Sequence, residues 1–557
     1  MAKTDYTNWT RDDLIKEIVT LRKRKKYGIV WENTIENVVE QCKRELPVLE
    51  EVVKREVITD KCQPTNLIIE GDNYHALSVL NYTHQGKIDF IYIDPPYNTG
   101  ARDWKYNNDY VDSEDSFRHS KWVSFMHKRI QLAKRLLKPE GLICVTIDNY
   151  EVHNLIHILK DVFPDKEIVT TVILHNFRGR AKNNFALCHE YAVWVLPLGI
   201  DSITHKEELA KDANLNLRRT GQNSLRKDRP TMFYGIEVNK TNLEIIGVTK
   251  PIKDGEKLIF SSNKDIVTIY PIDKSNIERR WYYGAEKVLN ESKTKNVFAK
   301  NSKGKIEIYF KFEGKPIRRK SVWFGPQYDS SANGTVLLTN IIGQNDFTFP
   351  KSLYAVKECI EAATANKNAL ILDFFAGSGT TGHAVLELNK YDGGNRTFIL
   401  CTNNENKIAE QICYPRIKKV IEGYTGEGVK KSDGLGGNLK YYKTNFVPAV
   451  RTDKNKVELT RKATEMICIK EETFDKVEEK NAYKIYKNRD KYTGIIFDYL
   501  AIDEFKKKIS RFDKHCHVYI FSLGDDRFND EFEDIQSHVS ISPIPEAILR
   551  VYRKIFK

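Results

Sequence analysis

A carboxylate, two prolines and an aromatic residue follow a short apolar run at 91–93: Asp94, Pro95, Pro96 and Tyr97. Asp94 accepts hydrogen bonds, and the prolines lack N–H donors and hold φ at about −65°, so carbonyls of this turn can point at a ligand. Tyr97 adds a flat face for stacking. An exocyclic aromatic amine requires two acceptors and a ring, which this tetrapeptide provides. An ordinary proline turn after a strand is the alternative interpretation.

A glycine-rich turn follows a second apolar run much further along the chain. Residues 369–373 have the pattern of a buried strand, and residues 374–382 read Phe-Phe-Ala-Gly-Ser-Gly-Thr-Thr-Gly before a helical stretch. Glycines between a strand and a helix let the backbone approach a ligand closely. The turn lacks the lysine of a phosphate-binding P-loop, so by itself it is weak evidence for any one ligand.

The two motifs together resemble those of the DNA amino-methyltransferases that use S-adenosyl-L-methionine. Asp-Pro-Pro-Tyr matches their catalytic motif, and Phe-x-Gly-x-Gly at 375–379 matches their cofactor motif. The catalytic motif comes first, which is the order of the β class, whose target-recognition region lies between the motifs. Further segments are similar, in the same order, to the modification subunits of type III restriction-modification systems: 26–32, 71–73, 229–234, 279–281, 347–352 and 439–446.

The resemblance implies methyl transfer from S-adenosylmethionine to N6 of a flipped adenine in duplex DNA. The implied catalytic residues are Asp94, Pro95, Pro96 and Tyr97. The implied cofactor-binding residues are Asp72, Asn73, Lys351, Ser352, Asp373, Phe375, Ala376, Gly377, Ser378, Gly379, Thr380, Thr381 and Glu405. Glu405 is displaced by a few residues from the family's position for an acid that holds the ribose, and an ordinary glutamate at a helix start is its alternative.

Three other functions remain open. Cytosine-N4 methylation has the same chemistry, but its enzymes usually begin the motif with Ser, so Asp94 favours adenine. A catalytically silent methyltransferase fold that only binds nucleic acid is the alternative from another class, and both intact motifs argue against it. Charge alone does not exclude RNA as the substrate.

Alternating strands and helices on both sides of a long irregular segment predict an α/β fold, a doubly wound, mixed, Rossmann-like sheet. Residues 1–57 are predicted to be a helical region for dimer or partner contacts. The expected methyltransferase domain comprises a catalytic half at 58–197 and a cofactor-binding half at 346–430. A target-recognition insert at 198–345 is expected between these halves, and a smaller α+β domain at 431–557 is expected to make dimer or partner contacts.

The irregular central segment is rich in basic and aromatic residues, which are the types that contact phosphates and base edges. An ordinary surface domain with exposed charge is the alternative. The predicted DNA contacts, some from just before the insert, are Arg178, Arg180, Arg218, Arg219, Arg226, Arg229 and Arg280.

The composition limits the partners and the compartment. Among the 557 residues, 89 Lys and Arg against 76 Asp and Glu give a net charge of +13, which suits a polyanion such as double-stranded DNA. No apolar stretch is long enough to span a membrane and no signal peptide begins the chain, so a cytoplasmic protein is expected. Scattered cysteines without a Cys-x-x-Cys pair predict no metal site. By resemblance a homodimer is expected, and any restriction activity requires a separate helicase-nuclease subunit.

Overall fold

The computed structural model describes residues 10–12, 14–15, 35–107, 109–177, 179, 184–205, 213–302, 304–312, 318–426, 431–524 and 528–556. Arg178, Arg180 and most of the predicted N-terminal helical region therefore lie outside the described residues. The chain divides into two compact units. The inserted unit is His205–Arg319, and the large unit comprises the residues before and after it.

One ten-stranded sheet is the centre of the large unit. Its strands are β1 (Glu45–Glu51), β2 (Thr65–Glu70), β3 (Ile88–Ile93), β4 (Leu137–Ile147), β5 (Lys166–Leu174), β6 (His189–Pro197), β7 (Val322–Trp323), β8 (Leu370–Asp373), β9 (Thr397–Thr402) and β10 (Asn438–Pro448). Their order is β1-β10-β2-β9-β8-β3-β4-β6-β5-β7. The strands from β10 to β4 run parallel, whereas β1 and β6 are antiparallel to their neighbours. This mixed sheet agrees with the predicted fold class.

Helices cover both faces of this sheet. The helices with both ends described are α1 (Asn37–Arg44), α2 (Asn73–Thr83), α3 (Arg118–Lys134), α4 (Val152–Val162), α5 (Ala285–Lys293, in the inserted unit), α6 (Leu337–Ile342), α7 (Leu353–Ala363), α8 (Thr380–Asp392), α9 (Tyr414–Glu422), α10 (Asp453–Lys462), α11 (Thr464–Glu471), α12 (Ile502–Ile509) and α13 (Glu546–Ile555). Helices α2, α3, α4, α11 and α13 share one core, and α6, α7, α8 and α9 share the other. None of the described helices combines the length and the apolar character needed to cross a membrane.

The strands are apolar on both faces because both faces are covered. In β3, Ile91 and Ile93 belong to the first core, while Phe90 and Tyr92 belong to the second. Successive side chains of a strand point to opposite faces, so a centrally buried parallel strand reads as a continuous apolar run. This is why the sequence pattern located β3 correctly.

The two ends of the large unit differ from the expected boundaries. Residues 45–51 form strand β1, although a helical region was predicted there. Strand β10 pairs with β1 and β2, so residues 438–448 belong to the main sheet and not to a separate C-terminal domain. Long-range pairing and not local composition therefore decides where the sheet ends.

The residues after β10 build a second, five-stranded sheet. Its strands are Asp475–Glu479, Tyr483–Lys487, Tyr492–Ile496, Cys516–Phe521 and Val539–Ile544. Part of this region shares the first core of the large unit: Tyr519 and Tyr552 are buried there, and the Tyr552 hydroxyl donates to the Pro47 carbonyl of β1 at 2.5 Å. The predicted α+β character is present. Part of the region shares the first core of the main sheet, and the rest has a core of its own around Tyr483, Phe505 and Val518.

The inserted unit is narrower than the predicted 198–345 insert, because β7 and α6 belong to the large unit. It contains two three-stranded antiparallel sheets, from Ile236–Asn239, Ile245–Val248 and Ile266–Ile269 and from Ala213–Asn216, Val297–Ser302 and Lys305–Phe312. Antiparallel strands can be joined by short loops and need no crossover helix. The alternation of strands and helices in the sequence is therefore lost in this unit. Trp281 is buried in its core, where its Nε1 donates to the Tyr234 carbonyl at 2.8 Å.

Candidate active site

Three acidic residues lie where parallel strands end at the same edge of the main sheet. Asp94 follows β3, Asp373 ends β8, and Asp72 comes two residues after β2. Strands β3 and β8 are direct neighbours, and β9 separates β8 from β2. Open α/β sheets bind ligands at the carboxyl ends of their strands, so this edge is the expected place for a site.

The Asp94 carboxylate is surrounded by donors. Its Oδ1 accepts from the Thr146 hydroxyl at 2.8 Å and from the Tyr97 hydroxyl at 3.0 Å, and Lys351 Nζ lies 3.1 Å away. Burial raises the pKa of Asp94 above its usual value, and the nearby Glu190 charge raises it further, while Lys351 opposes the increase. Asp94 therefore depends on these donors to remain an anion that can accept hydrogen bonds.

Glu190 and Lys351 form an ion pair beside Asp94. Lys351 Nζ donates to Glu190 Oε2 at 2.5 Å and also to the Tyr97 hydroxyl, and the Tyr97 hydroxyl lies 2.9 Å from Glu190 Oε2. Burial raises the pKa of the Glu190 carboxyl, but the charges of Lys351 and His175 and the hydrogen bonds from Lys351 and Tyr97 together hold the pKa below its usual value. Lys351, which was predicted to contact the cofactor, thus contacts the catalytic motif.

Buried side chains fix the turn that carries the motif. Trp122 Nε1 donates to the Pro96 carbonyl at 2.7 Å. Asn98 has a positive φ of 55°, and its side chain is held by Glu151 at 2.5 Å and by Trp104 Nε1 at 3.0 Å. Among the described residues, no donor reaches the Pro95 carbonyl. That carbonyl is therefore available as a second acceptor next to Asp94.

The glycine motif forms a tight turn between β8 and α8. Gly377 and Gly379 have φ values of 50° and 78°, in the left-handed region that favours glycine. The Ala376 amide donates to the Cys401 carbonyl of β9 at 3.1 Å, and the Gly379 amide donates back to the Ala376 carbonyl at 2.7 Å. These bonds fasten the turn to the neighbouring strand, so its backbone is positioned before any ligand binds.

The hydroxyl side chains of the loop point into the protein. Arg416, which is fully buried, donates to the hydroxyls of Ser378 at 3.0 Å and Thr380 at 2.8 Å. The Thr381 hydroxyl donates to Asp373 Oδ2 at 2.5 Å. These three side chains support the loop, so any contact they make with a cofactor would come from their backbone.

Asp72 and Asn73 are connected to the glycine loop. Asp72 caps α2 by accepting from the Tyr74 amide at 2.7 Å, and the Asn73 side chain donates to the Phe374 carbonyl at 3.1 Å. Arg129 contacts both, at 3.2 Å from Asp72 Oδ1 and through its Nε to the Asn73 oxygen. The two predicted residues and the loop are therefore parts of one hydrogen-bonded structure.

The site favours a cationic ligand. Asp373 is buried, which raises the pKa of its carboxyl to about 7, and the Asp94 charge adds to that increase, whereas Thr381 and the Phe375 amide oppose it. A positive group between these acids would stabilise their ionised forms. S-adenosylmethionine carries a sulfonium and an ammonium group, so the carboxylates of this site fit it. Asp72, the glycine-loop backbone and the partly exposed Phe375 are the groups that could hold it.

The last two predicted cofactor residues lie in less distinctive surroundings. The Ser352 hydroxyl donates to the Gln327 carbonyl at 2.7 Å and is buried. Glu405 comes shortly after β9, as expected, and its side chain is 45% exposed with Lys105 at 3.6 Å. Its exposure leaves it available for a ribose hydroxyl, and its role stays a prediction.

The predicted DNA-contacting arginines of the inserted unit divide into two groups. Arg218 and Arg226 are engaged internally: Arg218 donates to the Ile272 carbonyl at 2.9 Å, and Arg226 pairs with Glu278 at 2.7 Å. Arg280 is also engaged internally, because it is 4% exposed and its Nε donates to the Asn223 carbonyl at 2.7 Å. Arg219 and Arg229 form the second group. Burial lowers the pKa of Arg280, and the like charges of Arg219 and Arg229 lower it further. The second group is therefore a concentration of positive charge.

Sequence reasoning missed Thr146, Glu190 and Arg129. Thr146 lies in the buried second half of β4 and Glu190 near the start of β6, and each is a polar residue next to a run of buried apolar residues. That interruption was a usable signal, because a polar side chain in a buried strand requires a partner. Arg129 lies on α3, and nothing in its sequence surroundings indicates its contacts with Glu36, Asp72 and Asn73.

Comparison with known proteins identifies the family. A family model described as DNA methylase matches residues 88–413. The type II methyltransferase M.KpnI of Klebsiella pneumoniae is 33% identical over 401 residues, which cover 68% of this chain and 87% of that protein. The type III restriction-modification enzyme EcoPI Mod subunit of Escherichia phage P1 is 30% identical over 447 residues, which cover 71% of this chain and 66% of that protein. The crystal structure of the M1.HpyAVI–SAM complex matches with 13% identity and a TM-score of 0.29, covering 63% of this chain and 98% of that one.

This chain belongs to the DNA methylase family, whose model covers both the catalytic turn and the glycine loop. The predicted fold class is confirmed by the doubly wound mixed sheet. Membership of the family also confirms the predictions of DNA methyltransferase activity and of S-adenosylmethionine as the cofactor.

Proposed function

We propose that this DNA methyltransferase methylates N6 of adenine in duplex DNA and is the modification subunit of a type III-like restriction-modification system. One observation carries the proposal of amine methylation. The Asp94 carboxylate lies beside the uncommitted Pro95 carbonyl, one strand from the glycine loop. These are two acceptors for the two hydrogens of an exocyclic amine, next to a place for a methyl donor.

Asp94 and the Pro95 carbonyl activate the target amine without removing its proton first. An aromatic amine is a poor nucleophile because its lone pair is delocalised into the ring. Accepting its two N–H groups pulls the nitrogen toward tetrahedral geometry and increases its electron density, which is electrostatic preorganisation. When bound, S-adenosylmethionine would supply the methyl group from its sulfonium and be left as a neutral thioether, and positive charge would move to the target nitrogen. The anionic Asp94 would stabilise that charge and then accept the N–H proton to which it is hydrogen-bonded, so that the product amine is neutral.

Adenine is favoured over cytosine by the first residue of the motif. In the enzymes that this chain resembles, Ser usually takes the Asp94 position when the target is N4 of cytosine. In this chain the position is Asp94, and the donors Thr146, Tyr97 and Lys351 stabilise its ionised form. Cytosine-N4 methylation is the second candidate, since both reactions occur among amino-methyltransferases.

The target base must leave the duplex to reach Asp94, at a cost of a few kcal/mol. Stacking on Tyr97 could offset about 1–3 kcal/mol. The remaining stabilisation is proposed to come from DNA-backbone contacts of the inserted unit, mainly those of Arg219 and Arg229. Arg218, Arg226 and Arg280 are less suitable because other groups of the protein already occupy them.

The relatives support a role in restriction-modification. Similarity to type III Mod subunits favours a separate helicase-nuclease subunit as partner, a homodimer and a cytoplasmic location. The matched region spans 66% and 57% of two such subunits but 87% of the type II methyltransferase M.KpnI. A methyltransferase without a restriction partner is therefore the second candidate for its biological setting. Coexpression with a type III restriction subunit, followed by size-exclusion chromatography with light scattering, distinguishes the two.

Sequencing of modified DNA tests the activity. The full chain is expressed in a host without other methyltransferases, and single-molecule sequencing then identifies each modified base. We expect N6-methyladenine at one short sequence. N4-methylcytosine would replace the adenine proposal, and unmodified DNA would contradict the proposed activity.

The matched controls are two aspartate variants. Asp94→Ala should abolish modification while the protein still binds S-adenosylmethionine in calorimetry, because the variant removes the acceptor and not the glycine loop. Asp165→Ala removes an exposed carboxylate in the turn after α4 and should leave modification unchanged. Equal modification by wild type and Asp94→Ala would show that Asp94 is not the acceptor.

A further inference from the structure

A fully buried arginine, Arg129, contacts two of the residues predicted to bind the cofactor. Its Nη2 lies 3.2 Å from Asp72 Oδ1, and its Nε donates to the side-chain oxygen of Asn73. Arginine has donors only, so the amide nitrogen of Asn73 has to point away from it, and it donates to the Phe374 carbonyl at 3.1 Å. Arg129 therefore fixes the orientation of both side chains next to the glycine loop.

The second carboxylate oxygen of Asp72 is left for a ligand. Its Oδ1 accepts from the Tyr74 amide at 2.7 Å and from Arg129, whereas no donor among the described residues contacts its Oδ2. The Asp72 side chain is also 32% exposed. An N–H or O–H group of S-adenosylmethionine can therefore donate to Oδ2 without displacing a contact of the protein.

The other carboxylate that contacts Arg129 is Glu36, in the segment before α1. Glu36 is 5% exposed, and its Oε1 lies 2.7 Å from Arg129 Nη1. The backbone on both sides of it is fastened to one side chain: the Asn37 amide donates to Asn107 Oδ1 at 2.7 Å, and Asn107 Nδ2 donates to the Ile35 carbonyl at 2.9 Å. These bonds hold the Glu36 carboxylate against the guanidinium.

We propose that Glu36 is a positioning residue for cofactor binding, because it neutralises Arg129 and so leaves the charge of Asp72 to the cofactor. Arg129 carries one positive charge and contacts two carboxylates, of which Asp72 is the more exposed. The inference rests on the proposed function, through the predicted contact of Asp72 with S-adenosylmethionine. Glu36 acts on that contact through Arg129.

The proposal requires the charge of Glu36 and not only its shape. A buried ion that loses its partner is strongly destabilising, so an Arg129 without Glu36 would be drawn more closely to Asp72. Hydrogen bonds to ionised groups are about twice as strong as neutral ones, and a neutralised Asp72 would lose that advantage for the cofactor. Lys128 is a second cation near Glu36, but its Nζ is farther away, 3.7 Å from Oε2.

The first experiment titrates the full chain with S-adenosylmethionine in a calorimeter and compares wild type with Glu36→Gln. Glutamine keeps the length of the side chain and an oxygen for Arg129, so the fold should be retained, and thermal melts without cofactor check this separately. We expect a roughly tenfold higher Kd, which corresponds to the loss of about one hydrogen bond to a charged group. A lower melting temperature with an unchanged Kd would overturn the proposal.

Glu40→Gln is the matched control. Glu40 lies in the first turn of α1, is 40% exposed and pairs with Lys43 at 2.6 Å. The variant removes the same charge from the same segment without touching Arg129, so the Kd should stay as in wild type. Equal increases in Kd for Glu36→Gln and Glu40→Gln would show a general effect of charge and contradict the proposed role.

Asp72→Asn completes a double-mutant cycle. Asparagine can still accept from the Tyr74 amide at the start of α2, and the single variant should raise the Kd about tenfold. In this background Glu36→Gln should have little further effect, because no Asp72 charge remains to be preserved. A full effect of Glu36→Gln in both backgrounds would contradict a role through Asp72, as would an Asp72→Asn variant that binds the cofactor like wild type.

The outcomes separate this inference from the proposed function. A wild-type protein that does not bind S-adenosylmethionine contradicts both. Normal binding and methylation by wild type, together with an unchanged Kd for Glu36→Gln, contradict only the role of Glu36.

Discussion

At the scale of single residues, the site is built from charges that are costly to bury and therefore interdependent. Asp373 is 3% exposed, and its neighbours include the Thr381 hydroxyl, the Phe375 amide and the charge of Asp94. None of these neighbours is a cation. The carboxyl group therefore stays protonated to an unusually high pH until a positive ligand arrives.

This protonation predicts a pH-dependent stability. The unfolded Asp373 carboxyl ionises at about 3.9, whereas burial raises the pKa of the folded one to about 7. Between these values the folded state binds more protons, so Asp373 makes the free energy of unfolding fall as pH rises. Asp373→Asn cannot ionise and should remove this slope. Thermal melts of both proteins from pH 4 to 8 test it, and their difference cancels Glu465, whose pKa burial also raises to about 7. Melting curves that shift in parallel would contradict the prediction.

At the scale of elements, helix α8 joins the glycine loop to the second core. Gly379 precedes the helix with φ of 78°, and Gly393 follows it with φ of 67°. A Cβ at Gly379 would lie 3.2 Å from Cys413 Sγ and 3.3 Å from Ile417, but a Cβ at Gly393 would meet nothing within 4 Å. Both ends of the helix therefore require a residue that tolerates positive φ, but only Gly379 is tightly packed against its neighbours.

The two glycines form a matched pair of variants. Both alanine substitutions place a side chain at positive φ, which costs roughly 1–2 kcal/mol. Gly379→Ala should additionally displace the loop and weaken S-adenosylmethionine binding by about tenfold or more, while Gly393→Ala should leave the affinity unchanged. Calorimetric titration measures both. Equal affinities of the two variants would show that the loop does not hold the cofactor.

At the scale of the whole molecule, the chain carries a net charge of +13 and divides into two compact units. In the inserted unit, most of the arginines that were predicted to contact DNA already form hydrogen bonds or ion pairs within the protein. Arg229 is exposed, and among the described residues no carboxylate forms an ion pair with it. Such uncompensated charge is what a phosphate contact requires.

Arg229 should therefore contribute to DNA binding through salt-dependent contacts. Arg229→Ala should weaken DNA binding similarly for different sequences and reduce the slope of log K against log salt by about 1. Lys264→Ala removes one exposed charge from the same unit and is the control, with a smaller change expected. Fluorescence anisotropy at several salt concentrations measures the slopes. Identical slopes for Arg229→Ala and wild type would exclude a phosphate contact at this residue.

The sequence predicted the strands and helices around the site within a few residues. The buried-strand pattern at 369–373 corresponds to Leu370–Asp373, and the helical stretch expected after the glycine-rich turn is Thr380–Asp392. These elements carry strong local patterns because each is buried on at least one face. The expected separate C-terminal domain differs because β10 joins the main sheet through pairing with β1 and β2, which no local pattern encodes.

The sequence by itself determined the chemistry of this protein: an acceptor, two prolines and an aromatic ring at 94–97, and a glycine turn at 375–379. The residues of each motif are adjacent in the sequence, so their types and order can be recognised without knowing the fold. Only the tertiary structure decided what keeps Asp94 charged, since Thr146, Glu190 and Lys351 come from distant segments and meet Asp94 only when the strands assemble. The physical reason is that burial sets the cost of a charge, and burial is a property of the folded chain.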